Sequence, residues 1–163
     1  MVLKSRWESK NPENTDDVAV AAQELEPGPA DQGGLSVFRA ADETEGRRVA
    51  ILHTMTSRGP EKVDFLLVPE VCFRDPRLEL RADPNDDQHP YLSERHYLVL
   101  GLSNVQVRID VTRAILRDTG HRLARISKSE IKEEAIQVLR DDPSIRSYVK
   151  ERRWDDVLRD GGD

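Results

Sequence analysis

The stretch Val105-Gln-Val-Arg-Ile-Asp-Val111 alternates apolar and polar side chains without interruption. Side chains on a β-strand point alternately to two faces, so a strand here places Gln106, Arg108 and Asp110 together on one face. The four remaining side chains, all apolar, then form the opposite face. The alternation predicts a two-faced strand over residues 105–111.

Two helices joined by a short turn are predicted to follow this strand. Residues 112–124 have helical spacing of apolar side chains, and Ser127-Lys-Ser-Glu130 is a capping box that marks a helix start. The second helix carries an apolar stripe at Ile131, Ala135, Val138 and Leu139.

A different interpretation of the same segment stays open, because Thr119-Gly120 is also typical of a helix C-terminus. Residues 104–119 then form one amphipathic helix, residues 121–126 a connector or strand, and residues 128–141 an ordinary capped helix. The two interpretations differ in whether residues 105–111 are extended or helical.

Strand, helix, turn and a second helix opening Ile126-Ser-Lys-Ser-Glu-Ile-Lys-Glu-Glu-Ala-Ile136 resemble the ribbon-helix-helix repressors and antitoxins over residues 105–140. In that family two chains pair their strands into a ribbon that enters the major groove of DNA. The resemblance implies a homodimer on duplex DNA, with Gln106 and Arg108 reading base edges. It also implies a phosphate held at the second helix start by Lys128 and Ser129, assisted by Arg125.

The remainder of the chain predicts an α+β fold with a small sheet, flanking helices and a helical C-terminal third. Residues 1–34 hold three basic and seven acidic side chains with several Pro and Gly, which indicates a flexible acidic arm. Residues 35–104 form a small α+β domain and residues 105–163 a mostly helical region. Within the domain we expect strands at 35–39, 63–68 and 97–102 and a helix at 42–56, the strand at 63–68 being central and buried.

Composition excludes several classes of protein. With 163 residues the chain can build one ordinary core or two small ones. No apolar run approaches the roughly 18 residues of a membrane span, and the N-terminus lacks the apolar core of a secretory signal. The one cysteine, Cys72, cannot form an internal disulfide. We therefore expect a cytoplasmic protein with no membrane partner.

Few residues suggest catalysis. The four histidines are too scattered for a metal site, and no nucleophile or nucleotide-binding motif occurs. Asp64 in one strand and Glu79-Leu-Arg81 in another are similar to the paired acids of metal-dependent nucleases. We predict no catalytic residues, no metal ligands and no cofactor.

Three functions are therefore considered. The first is a non-enzymatic, antitoxin-like DNA-binding regulator that dimerises through a β-ribbon. The net charge is −6, yet residues 105–132 carry seven basic and three acidic side chains, which suits this function. The second is an accessory or adaptor protein that binds a protein partner through the acidic arm. The third is a nuclease-like hydrolase.

Overall fold

The computed structural model describes residues 7, 9–28, 33–84, 88–118, 122–149 and 153–160. The α+β fold class is confirmed. The chain folds into two compact units built from alternating segments: residues 1–39, 64–83 and 96–124 in the first, and residues 40–63, 84–95 and 125–163 in the second. The sequence predicted three consecutive regions with boundaries after residues 34 and 104. The observed units differ from these regions because each unit combines segments that are far apart in the sequence.

In the part of the chain that the structure describes, five strands form two small sheets. The strands are β1 (Gly34–Phe38), β2 (Val63–Leu67), β3 (Glu79–Ala82), β4 (His96–Leu100) and β5 (Arg122–Ile126). β1, β4 and β3 form an antiparallel sheet in that order, in the first unit, and β2 pairs with β5 in a separate two-stranded sheet. The prediction that residues 63–68 are a central strand is wrong: β2 is mostly buried but lies beside one strand only among the described residues.

The helices are α1 (Thr15–Ala22), α2 (Glu43–Ser57), α3 (Pro90–Ser93), α4 (Val105–Arg117), α5 (Lys128–Asp141) and α6 (Asp155–Asp160). Among the described residues, 3₁₀ turns span Gln23–Leu25, Glu70–Phe73 and Pro143–Tyr148. Within the described part of the chain, no helix has the length and apolar character needed to span a bilayer.

The prediction of a strand over residues 105–111 is wrong, because these residues form the first half of α4. Asn104 caps the helix, its Oδ1 accepting hydrogen bonds from the backbone N–H of Gln106 at 2.9 Å and of Val107 at 3.3 Å. The buried apolar residues recur every four positions, at Val107, Val111 and Ile115. The alternative interpretation, one amphipathic helix ending near residue 118, is confirmed.

The prediction of a flexible acidic arm is wrong for the described residues of this segment, because they pack into the core. Val18, Ala21 and Leu25 are buried in one core cluster, to which α4 contributes Val107 and Val111. Apolar burial therefore holds α1 and the 3₁₀ turn after it in the core of the first unit, despite the acidic composition of this segment.

The second unit is mainly helical. α5 begins where the capping box predicts, and it packs against α2 while its stripe of Ile131, Ala135 and Leu139 is buried. Trp154, near the chain end, is buried and donates its indole N–H to the carbonyl of Arg58 at 2.8 Å. Val157 and Leu158, which follow it, are buried as well.

Candidate interaction site

The base-reading residues predicted from the resemblance do not share a face. Gln106 lies exposed in the first turn of α4 and donates its side-chain N–H to Asp110 Oδ1 at 3.0 Å. The side chain of Arg108 is only 10% exposed, and its Nη1 lies 3.4 Å from a carboxylate oxygen of Glu26. Residues two apart on a helix point in different directions, so the arrangement of a strand face is lost.

The predicted phosphate site at the start of α5 already holds a carboxylate. Glu130 accepts the N–H of Ser127 at 2.8 Å, and Ser127 Oγ accepts the N–H of Glu130 at 3.3 Å. Hydrogen bonds from Ser127, and then from Arg47, lower the pKa of Glu130 to about 2. The positive end of the helix dipole is therefore already matched by a negative charge.

The three side chains predicted to bind the phosphate lie near this helix end. Lys128 and Ser129 are exposed in the first turn of α5, and Arg125 is exposed on β5. A phosphate there would lie at a helix end whose positive charge the Glu130 carboxylate already offsets.

The acids proposed for a nuclease-like site lie in different sheets. Asp64 belongs to β2 and Glu79 to β3. Among the residues that the structure describes, no group of three or more His, Cys, Asp or Glu side chains is placed to hold a metal ion.

A cluster around Tyr91 in the second unit was not predicted. The Tyr91 hydroxyl donates to Glu45 Oε1 at 3.0 Å, and Arg95 lies over the Tyr91 ring at 3.8 Å from its centroid. Arg95 Nε also donates to Glu45 Oε1 at 3.0 Å. Hydrogen bonds from the backbone of Ala41 and from Arg95 lower the pKa of Glu45. These groups satisfy one another, so the cluster links α2 to α3. No local pattern in sequence could have paired residues this far apart.

The most unusual feature of the first unit is the outer edge of its sheet, formed by β3. β3 pairs with β4 in the register Glu79 to Leu100, Leu80 to Val99, Arg81 to Leu98 and Ala82 to Tyr97. Among the described residues no strand pairs with its other side, and all four of its residues are exposed. We call the open side of Glu79–Ala82 the β3 edge.

One hydrogen bond shows which residues of β3 direct their backbone N–H and C=O groups away from β4. The Asp83 N–H donates to the His96 carbonyl at 3.0 Å, so position 83 faces β4. Backbone groups of an antiparallel strand face its two neighbours alternately. Glu79 and Arg81 therefore direct their N–H and C=O groups to β4, whereas Leu80 and Ala82 direct theirs outward.

An apolar row crosses the sheet and ends at this edge. Leu35, Val99 and Leu80 lie directly opposite one another on β1, β4 and β3, and paired residues share a face. Their exposed fractions are 8%, 0% and 40%. The row is thus buried on two strands and open on the third, where the next strand of a larger sheet would cover it.

Contacts of Arg77 and Gly101 fix the segment that leads into β3. Arg77, which precedes β3, donates to Asp75 Oδ1 at 2.9 Å and to Asp110 Oδ2 on α4 at 2.8 Å. The hydrogen bonds from Arg77 lower the pKa of Asp75 to about 2. Gly101, directly after β4, has φ +94°, and a Cβ there would clash with the carbonyl oxygen of Arg77. These contacts fix the approach of the chain to β3.

The sequence placed Glu79-Leu-Arg81 in a strand but indicated no interaction role for it. An edge cannot be recognised from a strand's own sequence, because it depends on which strands lie beside it. No protein-family model, curated protein or solved structure matches this chain.

Proposed function

We propose that this chain is an accessory protein that acts by protein–protein interaction, through addition of a partner strand to the β3 edge. One observation carries the proposal: Leu80 ends a buried apolar row at a strand whose outward N–H and C=O groups have no neighbouring strand among the described residues. An extended segment that adds to such an edge gains main-chain hydrogen bonds and covers the exposed side chain.

The disposition of the arginines supports this function over the alternatives. Arg47, Arg77, Arg95 and Arg108 each lie within ion-pair distance of a carboxylate of the same unit. Arginines that bind a phosphate backbone have to offer their charge to the nucleic acid. Residues 105–111 also lie in the helix α4, so they do not form the strand that the ribbon-helix-helix interpretation requires.

Site-specific photocrosslinking in the native host tests the proposal. A benzophenone amino acid in place of Leu80 should give adducts of higher mass after ultraviolet irradiation. The same replacement at Val20, which is similarly exposed but lies on α1, is the matched control and should give few.

A second variant tests whether the adducts depend on the backbone of the edge. Ala82→Pro removes an outward N–H and leaves the bonds to β4 in place, so it should abolish the adducts of a label at position 80. Adducts that persist in this variant would contradict strand addition. Absence of adducts at position 80 in a well-expressed, folded chain would overturn the proposal. A yield at Val20 equal to that at position 80 would do the same, because the crosslinks would then be non-specific.

A further inference from the structure

We propose that the strand that occupies the β3 edge belongs to a second copy of this chain, paired antiparallel about a two-fold axis at Leu80. This inference rests on the proposed function, since it names the partner at the same edge. Two copies of the three-stranded sheet would join into one six-stranded sheet. An interface of this kind uses the same patch on both subunits, so the patch must be complementary to itself.

The charges of the β3 edge meet that requirement. Glu79 and Arg81 flank Leu80 and carry opposite charges. With Leu80 opposite its own copy, Glu79 lies opposite Arg81 of the second copy, and Arg81 opposite Glu79 of the second copy. Opposite charges directly across a strand pair attract, and like charges repel. The edge therefore forms two favourable pairs with itself, whereas two like charges would have kept copies apart.

The backbone is compatible with the same register. Leu80 directs its N–H and C=O outward, so Leu80 and its copy can form the hydrogen-bonded pair at the axis. The two charged pairs then occupy non-hydrogen-bonded positions, where the Cα atoms come closer, about 4.5 Å apart.

Neighbouring registers are worse. A shift by one residue opposes outward groups with groups that already bond β4. A shift by two residues places either Arg81 or Glu79 opposite its own copy, and these like charges repel at the shorter of the two strand-pair distances.

The apolar row gives a third reason. Leu80 is the one member of the row left 40% exposed, and its copy would continue the row across the axis on the same face. A heterologous strand could also cover Leu80. An unrelated strand would also need an acidic and a basic residue at the right positions to pair with Arg81 and Glu79. A second copy of this chain supplies both charges.

Sedimentation equilibrium of the full chain, over about 10 to 500 µM, tests the inference. The measurement is made at low salt because salt screens the attraction between surface charges. We expect the wild type to shift from one-chain mass toward twice that mass as concentration rises. Glu79→Lys and Arg81→Glu should each weaken self-association at least about tenfold, since each turns both attractive pairs into repulsive ones.

Complementation between the two charge variants is the decisive experiment. Mixing Glu79→Lys with Arg81→Glu should restore association as a heterodimer, because each Lys or Arg then faces a Glu. The double variant carrying both substitutions should dimerise with itself. Glu133→Lys and Arg140→Glu, at exposed positions of α5, are matched controls for the change in net charge and should behave as wild type.

Leu80→Pro tests the backbone. Proline removes the outward N–H but leaves the ladder to β4 intact, so the variant should fold and stay monomeric. Circular dichroism of every variant verifies folding.

A wild type that stays monomeric throughout the range would overturn the inference. Single charge variants that associate as the wild type does, or a mixture that shows no heterodimer, would also overturn it. If the purified chain is monomeric while position 80 crosslinks to a protein of another mass, the second copy is excluded and the interaction edge stands. If position 80 gives no adduct, the proposed function itself fails.

Discussion

The substitution Leu25→Ala tests whether the N-terminal segment is core or arm. Leu25 is 0% exposed and lies in one cluster with residues of α1 and α4, including Val18 and Val107. Truncation of a fully buried Leu to Ala costs about 2–5 kcal/mol, through lost transfer free energy and the cavity left behind. For a chain of this length about 3 kcal/mol corresponds to a fall in melting temperature of about 6–12 °C.

Urea unfolding followed by circular dichroism measures this cost. Val20→Ala is the matched control, because Val20 lies on α1 and is 36% exposed. We expect that control to change the free energy of unfolding by less than about 0.5 kcal/mol, since alanine has the higher helix propensity. A Leu25→Ala chain as stable as the control would refute the packing argument, because a segment that does not contribute to the core loses nothing on truncation.

Three further outcomes are expected. Gly101→Ala should destabilise the chain by at least about 2 kcal/mol in thermal unfolding, because alanine is strained at φ +94° and its Cβ would meet the carbonyl oxygen of Arg77; a change below about 0.5 kcal/mol would contradict this. Glu130 has its pKa lowered from 4.5 to about 2, so its carboxylate stabilises the fold above pH 4.5 and that contribution is lost as pH falls toward about 2. Glu130→Gln should therefore show a smaller loss of stability over this window than wild type, and equal losses would argue against the lowered pKa. Arg108→Ala should lower stability by about 1 kcal/mol through lost packing, and neither it nor the wild type should retard duplex DNA at about 50 mM salt. A wild-type complex that weakens steeply with salt, and whose sequence preference the substitution removes, would revive base reading.

Elements with strong local signals were predicted well. The start of α5 is encoded by Ser127 and Glu130, whose reciprocal hydrogen bonds need no distant partner. The helix at residues 42–56 and the strands at residues 35–39 and 97–102 were also found near their true bounds. Each has a cap, a breaker or a periodicity within its own length.

The stretch at residues 105–111 was misassigned because seven residues fit two periods. Val105, Val107, Ile109 and Val111 alternate, as a strand requires, but Val107 and Val111 are also one helical turn apart. Asn104, a favourable N-cap residue, was the local signal that favoured the helix. Ribbon formation, with the base-reading and phosphate roles that accompany it, depended on this one choice.

By itself the sequence determined the α+β class and the capped helix α5. Capping, side-chain periodicity and hydrophobicity act over a few residues, so they are readable in order along the chain. Only the tertiary structure decided that the acidic N-terminal segment joins the core and that β3 ends a sheet with Leu80 exposed. Both depend on contacts between residues far apart in sequence, because the energy of burying a side chain is set by what covers it.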